Sequence, residues 1–267
     1  MTRGGERIAS VLLEARRAGR PAVAAYLIAG FPSRGSFPAL LREVSSASDI
    51  VEVGIPFSDP MADGVTIERA SRIALMNGTT LSSTLQALAA SAPALATPVV
   101  LMSYLNPLLA YGVPRLARDA AAAGVSGFIV PDLPLEEQEC FRPTIGASGL
   151  AFIQMVTPAT PPPRLARLGA EGDGFVYAVT VTGTTGGRLG APAELTAYLE
   201  RVRAATAHPI LAGFGVRTRA DVAASVPPAD GVVVGSALIA AIERGEDPTQ
   251  FLAGLLVHKS ASAGAPP

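Results

Sequence analysis

A chain of 267 residues that is 49% hydrophobic, with a formal charge of -1, can fill one large core, yet charged and turn residues interrupt each apolar stretch before the roughly 18 residues of a membrane span. The absence of a Lys/Arg run and the 5% aromatic content exclude nucleic acid and anionic membrane as partners. A single cysteine, Cys140, excludes an internal disulfide, while a lone lysine, Lys259, and only two histidines, His208 and His258, leave the body of the chain without a Schiff-base amine or a His cluster for a catalytic metal.

The N-terminal segment has acidic residues and helical apolar spacing (Ile8, Val11, Leu12), which predicts a short amphipathic helix rather than a signal peptide, and a cytoplasmic protein. Apolar or β-branched runs then recur at 22–29, 49–54, 98–104, 126–130, 150–156, 174–180, 209–214 and 230–235. Helical patterns separate them, among them VTIERASRIALM, VPRLARDAAAAG, EEQECFRPTIGA and ELTAYLERVRAAT. Eight β-then-α units predict an α/β fold, a (β/α)₈ TIM barrel with an extra N-terminal helix, spanning 1–260 as one domain. The tail 261–267 (ASAGAPP) reads as disordered. An open doubly wound sheet is the alternative, but no GxGxxG follows the first strand.

In such a barrel chemistry belongs at the C-terminal ends of the strands. Glu52 lies between Val51 and Val53 near the end of the second strand, so alternation places it with Ile50, pointing into the barrel mouth. A carboxylate there is costly unless it is used or paired. Partnership with neighbouring hydroxyls or a salt bridge is the plainer reading. The loop that follows, GIPFSDPMADG, carries Asp59 and Asp63; Asp63 precedes Gly64 and a helix, so a helix cap or Asx turn is its plainer role. Glycines and a serine recur after strands six, seven and eight. Gly186, Gly215, Gly235 and Ser236 together predict a phosphate site of backbone N–H groups at a helix start. Cys140, in a charged stretch read as helix, and His208, at a strand entrance, are expected to be structural or solvated.

The string DIVEVGIPFSDPMADG, with YLIAGFPS, LMSYLNPLLAYG, GFIVPDLPLEE, TGTTGG, AGFGVRT and VVVGSALI, closely resembles the tryptophan synthase alpha subunit family from about residue 8 to 257. That resemblance implies a lyase that splits indole-3-glycerol phosphate into indole and glyceraldehyde 3-phosphate. It implies Glu52 and Asp63 as catalytic residues, Tyr104, Tyr177, Phe214 and Thr185 as substrate contacts, and Gly186, Gly215, Gly235 and Ser236 as phosphate donors. It further implies a mobile lid around Thr185, and a face bearing Asn106, Asp59, Asp132 and Pro134 that meets a beta subunit in an α2β2 heterotetramer. Pyridoxal phosphate is expected on that beta subunit and no cofactor on this chain. Two departures stand out: Val65 and Glu68 occupy positions usually held by proline and glutamine, and the lid reads TGTTGG where GVTGA is usual. A stand-alone indole-releasing lyase, a catalytically silent regulatory barrel and another phosphate-barrel isomerase or aldolase are the competing readings.

Overall fold

In the computed structural model, residues 1–95, 97–180, 192–213 and 215–256 are described. Their strands are β1 (Ala22–Ile28), β2 (Ile50–Gly54), β3 (Val99–Met102), β4 (Val125–Ile129), β5 (Ala151–Phe152), β6 (Gln154–Val156), β7 (Val176–Val179), β8 (Ile210–Gly213) and β9 (Gly231–Val234). They form one sheet in the order β5-β4-β3-β2-β1-β9-β8-β7-β6, every ladder parallel. The segments β5 and β6 are two parts of a single fifth strand, the first paired with β4 and the second with β7, so this strand closes the ring. It breaks at Ile153, whose N–H still donates to Phe128 (2.9 Å) before Gln154 turns to Val176.

The helices are α1 (Arg3–Arg17), α2 (Phe37–Ser46), α3 (Val65–Met76), α4 (Leu81–Ser91), α5 (Leu105–Tyr111), α6 (Val113–Ala122), α7 (Arg142–Ala147), α8 (Pro162–Ala170), α9 (Pro192–Ala205), α10 (Arg219–Ser225), α11 (Ser236–Glu243) and α12 (Pro248–Leu256). The third strand stops at Met102, two residues short of the expected end, because Leu105 opens α5, which tolerates Pro107 in its first turn. The single helix expected over 136–147 divides into a 3₁₀ turn, Leu135–Cys140, and α7, with Pro143 at the start of the latter. Cys140 ends that turn exposed, its Sγ donating to the Glu137 carbonyl (3.2 Å).

Strand alternation sorts the apolar residues into two cores. Ala24, Ile50, Val100, Ile129, Leu211 and Val233 face the barrel interior, and Val23, Val51, Leu101, Phe128, Ala212 and Val232 pack outward under the helices. Helix α1 plugs the base: Ile8 and Leu12 are fully buried among the interior residues. The Thr2 hydroxyl caps α1 by accepting from the Gly5 N–H (3.0 Å) and itself donates to Asp173 (2.8 Å). Gly4 must lack a side chain, since a Cβ would stand 1.9 Å from the Ser126 carbonyl. No described helix is long and apolar enough to cross a membrane. The tail 261–267, with His258 and Lys259, lies outside the described residues.

Candidate active site

A cavity of about 580 Å³ opens at the C-terminal ends of the strands. Glu52, Asp63, Tyr104, Tyr177, Gly215, Gly235 and Ser236 line it. Thr185, Gly186 and Phe214, with the rest of the expected lid, fall outside the described residues.

Glu52 is held from both sides, paired in register with Tyr26 on β1 and Val100 on β3. It is 1% exposed, and neither carboxylate oxygen has a hydrogen-bond partner among the described residues. The plainer reading, a glutamate satisfied by hydroxyls or a salt bridge, is therefore not what the described residues provide. Burial raises its pKa from 4.5 to about 8, because the charged form loses its hydration without gaining a partner.

Asp63 lines the same cavity and is half-buried. Gly64, not Asp63, occupies the N-cap position of α3, and no side-chain cap bond is made there. Burial first, and the charge of Glu68 second, raise the Asp63 pKa from 3.8 to about 6. Glu68, one turn into α3, faces solvent. Side chains rather than a ladder fix the loop carrying Asp63. The Tyr104 hydroxyl accepts from the N–H groups of Met61 (3.1 Å) and Ala62 (2.9 Å), and the Tyr104 ring packs on Phe57 at 5.4 Å. Ser71 of α3 accepts from the Phe57 N–H (2.9 Å). Tyr104 thus serves the loop with its oxygen as well as lining the cavity.

At the opposite end Gly235 precedes α11, whose first residue is Ser236, and Gly215 holds a φ of +79°, a conformation open to glycine at no steric cost. Backbone N–H groups and a hydroxyl at a helix start suit an anion. Tyr177 is buried and lies against Gly213, where a Cβ would come within 2.3 Å of its ring. Asp132 accepts from the Leu105 N–H (2.9 Å) and so ties the loop after β4 to the start of α5. Asn106, Asp59 and Pro134 are exposed, together with Met61, Val65 and Leu109. Among the described residues no group of three His, Cys, Asp or Glu side chains could hold a metal ion.

Among the lining residues that the sequence reading did not single out, one stands next to Glu52. Tyr26, buried beside Glu52, is hidden in the apolar run AVAAYLI; its signal was that it is the sole polar-headed residue of that strand.

Comparison with known proteins agrees with this geometry. Residues 12–263 match the family model described as tryptophan synthase alpha chain. The tryptophan synthase alpha chain of Chloroflexus aurantiacus is 44% identical over 240 residues, covering 89% of this chain and 90% of that one, and that of Nitratidesulfovibrio vulgaris is 43% identical, covering 90% and 93%. Among solved structures, Mycobacterium tuberculosis tryptophan synthase superposes with a TM-score of 0.86 at 37% identity, covering 94% of this chain and 99% of that chain. The alpha chain from Legionella pneumophila gives 0.83 at 32%, covering 96% and 95%. With the barrel, the carboxylates at its mouth and a family match that runs nearly end to end, the chain belongs to the tryptophan synthase alpha chain family and is a lyase of tryptophan biosynthesis.

Proposed function

We propose that this chain cleaves indole-3-glycerol phosphate to indole and glyceraldehyde 3-phosphate, and passes the indole to a pyridoxal-phosphate-bearing beta subunit in an α2β2 heterotetramer. The observation that carries this reading is the Glu52 carboxyl, buried and unpartnered among the described residues, a setting that pushes its pKa up to about 8 and favours the protonated form at neutral pH. Carbon–carbon cleavage of retro-aldol type needs an electron sink. The body of the chain offers no lysine, and an indole ring protonated at its third carbon is such a sink.

Protonated Glu52 delivers its proton to that carbon. As a carboxylate it then removes the proton of the hydroxyl on the adjacent side-chain carbon; the carbon–carbon bond breaks, its electrons return to the ring, and an aldehyde forms. Glu52 ends protonated, as it began. Asp63, with its pKa near 6, is mostly ionised at pH 7, accepts the ring N–H and stabilises the positive charge that develops there. Gly215, Gly235 and Ser236, with Gly186, hold the phosphate, and Tyr177, Tyr104 and Phe214 enclose the ring. Thr185 closes the lid onto Asp63. The exposed Met61, Val65 and Leu109 beside Asn106, Asp59 and Pro134 form the face that receives the beta subunit.

A coupled assay for glyceraldehyde 3-phosphate, run with and without a beta subunit, tests this. Product formation that Glu52→Gln abolishes in a folded protein is the expected result, with stimulation by the partner. Unchanged turnover in Glu52→Gln, or no product under either condition, contradicts the reading.

A further inference from the structure

The reaction above assigns no work to Tyr26, although it stands beside Glu52 in the β1–β2 ladder. Its side chain lies between two glycines. A Cβ on Gly235 would meet the Tyr26 Cβ and Cδ1 at 3.6 Å, whereas a Cβ on Gly54 would stand 2.1 Å from the Tyr26 hydroxyl oxygen. The root of the side chain therefore abuts the phosphate end of the cavity, and its tip reaches the carboxylate end. Gly54 is required for that placement: any larger residue there would displace the phenol. Among the described residues nothing hydrogen-bonds the Tyr26 hydroxyl. Burial and the nearby charges of Asp63 and Glu52 hold its pKa well above 10, so it remains a donor throughout the working range.

A ligand with its phosphate on Gly215, Gly235 and Ser236 and its ring at Asp63 has to cross this phenol. In indole-3-glycerol phosphate the crossing segment is a three-carbon chain with two hydroxyls. Glu52 serves the hydroxyl next to the ring, which leaves the middle one in need of a partner. A phenylalanine would fill the same space at Tyr26 without offering one. We propose that Tyr26 is a specificity-determining residue whose phenol O–H pairs with the hydroxylated chain joining ring and phosphate, so that the site favours glycerol-bearing phosphates over deoxy chains. This inference rests on the reaction proposed above.

Tyr26→Phe keeps the ring and removes only the hydroxyl. The full chain, assayed with its beta subunit, should lose about tenfold in kcat/KM for indole-3-glycerol phosphate, the size of one lost hydrogen bond to a buried polar group. Its affinity for 3-(indol-3-yl)propyl phosphate, which lacks both chain hydroxyls, should stay within about twofold of wild type, because a neutral pair removed from both sides leaves nothing unsatisfied. An equal loss on both ligands would overturn the inference in favour of ring packing, and no loss on either would show the hydroxyl to be idle. Wild-type enzyme that binds the deoxy phosphate but releases no glyceraldehyde 3-phosphate from indole-3-glycerol phosphate would overturn the reaction itself, and this inference with it.

Discussion

Glu52 and Asp63 face one cavity from opposite kinds of support. Glu52 is set in β2, with its backbone tied to β1 and β3, so its carboxyl cannot retreat from the barrel interior and desolvation acts on it in full. Asp63 rides a loop pinned by the Tyr104 hydroxyl, stays half-exposed, and rises only to about 6. At pH 7 the first is mostly an acid and the second mostly an anion. Two carboxylates thus take opposite roles through environment alone, and the rigidity of the supporting element decides which role each receives.

The largest test of this contrast is Glu52→Gln. Loss of its proton transfer should lower kcat by about 10² to 10⁴-fold, measured in the coupled assay. The same variant should be more stable at high pH. Because the folded-state pKa lies above the unfolded one, ionising Glu52 weakens the fold as pH rises from about 4.5 to about 8, and the cost is constant above that. Calorimetric Tm values for wild type and Glu52→Gln should coincide below pH 4.5 and separate by several degrees at pH 8 to 9, the variant higher. A difference independent of pH would break the account of a strand-trapped carboxyl.

Asp63→Asn should cost about 10² to 10³-fold in kcat, since it removes an anion aimed at charge that develops in the reaction. Its stability gain with pH should be smaller than that of Glu52→Gln and complete by about pH 6, in keeping with the smaller shift.

How far the chain announced this contrast differs between its two halves. Glu52 was legible because period-two alternation is a strict rule: Val51 and Val53 pack outward and Glu52 does not. Asp63 was not, because a residue just before a helix reads as its cap, and only the backbone reveals that Gly64 takes that place. The eight-strand rhythm gave the barrel, but not the break at Ile153, which arises because the fifth strand changes partner from β4 to β7, a long-range event without local signal. Helix α5 was hidden for a similar reason: VVLMSYL continues the apolar pattern past the point where the ladder ends. Tyr26 was obscured by its own strand, since a phenol among six aliphatic residues looks like core until its register with Glu52 is known.

Tyr104→Phe should have a middling effect. It leaves the N–H groups of Met61 and Ala62 without their acceptor and loosens the loop but not the strand, at a cost of about 1 to 3 kcal/mol. About tenfold in kcat/KM should be lost, and the Glu52-dependent basic limb of the pH profile should not move. A shift of that limb would mean that the two supports are not independent. The smallest effect belongs to Glu68→Gln. Glu68 adds to the upward shift of Asp63, so removing its charge lowers that pKa and moves the acidic limb of the rate profile to lower pH, which raises relative activity near pH 5.5 to 6. An acidic limb that moves upward would contradict this electrostatic assignment.

The most direct measurement is titration of the Glu52 carboxyl itself, by ¹³C NMR of glutamate-labelled free protein with Glu52→Gln to assign the signal. A carboxyl that titrates near pH 8 and vanishes in the variant is the predicted result. A Glu52 signal that titrates between pH 4 and 5 would mean that the group is already ionised at neutral pH, and it could not then be the acid that opens the reaction.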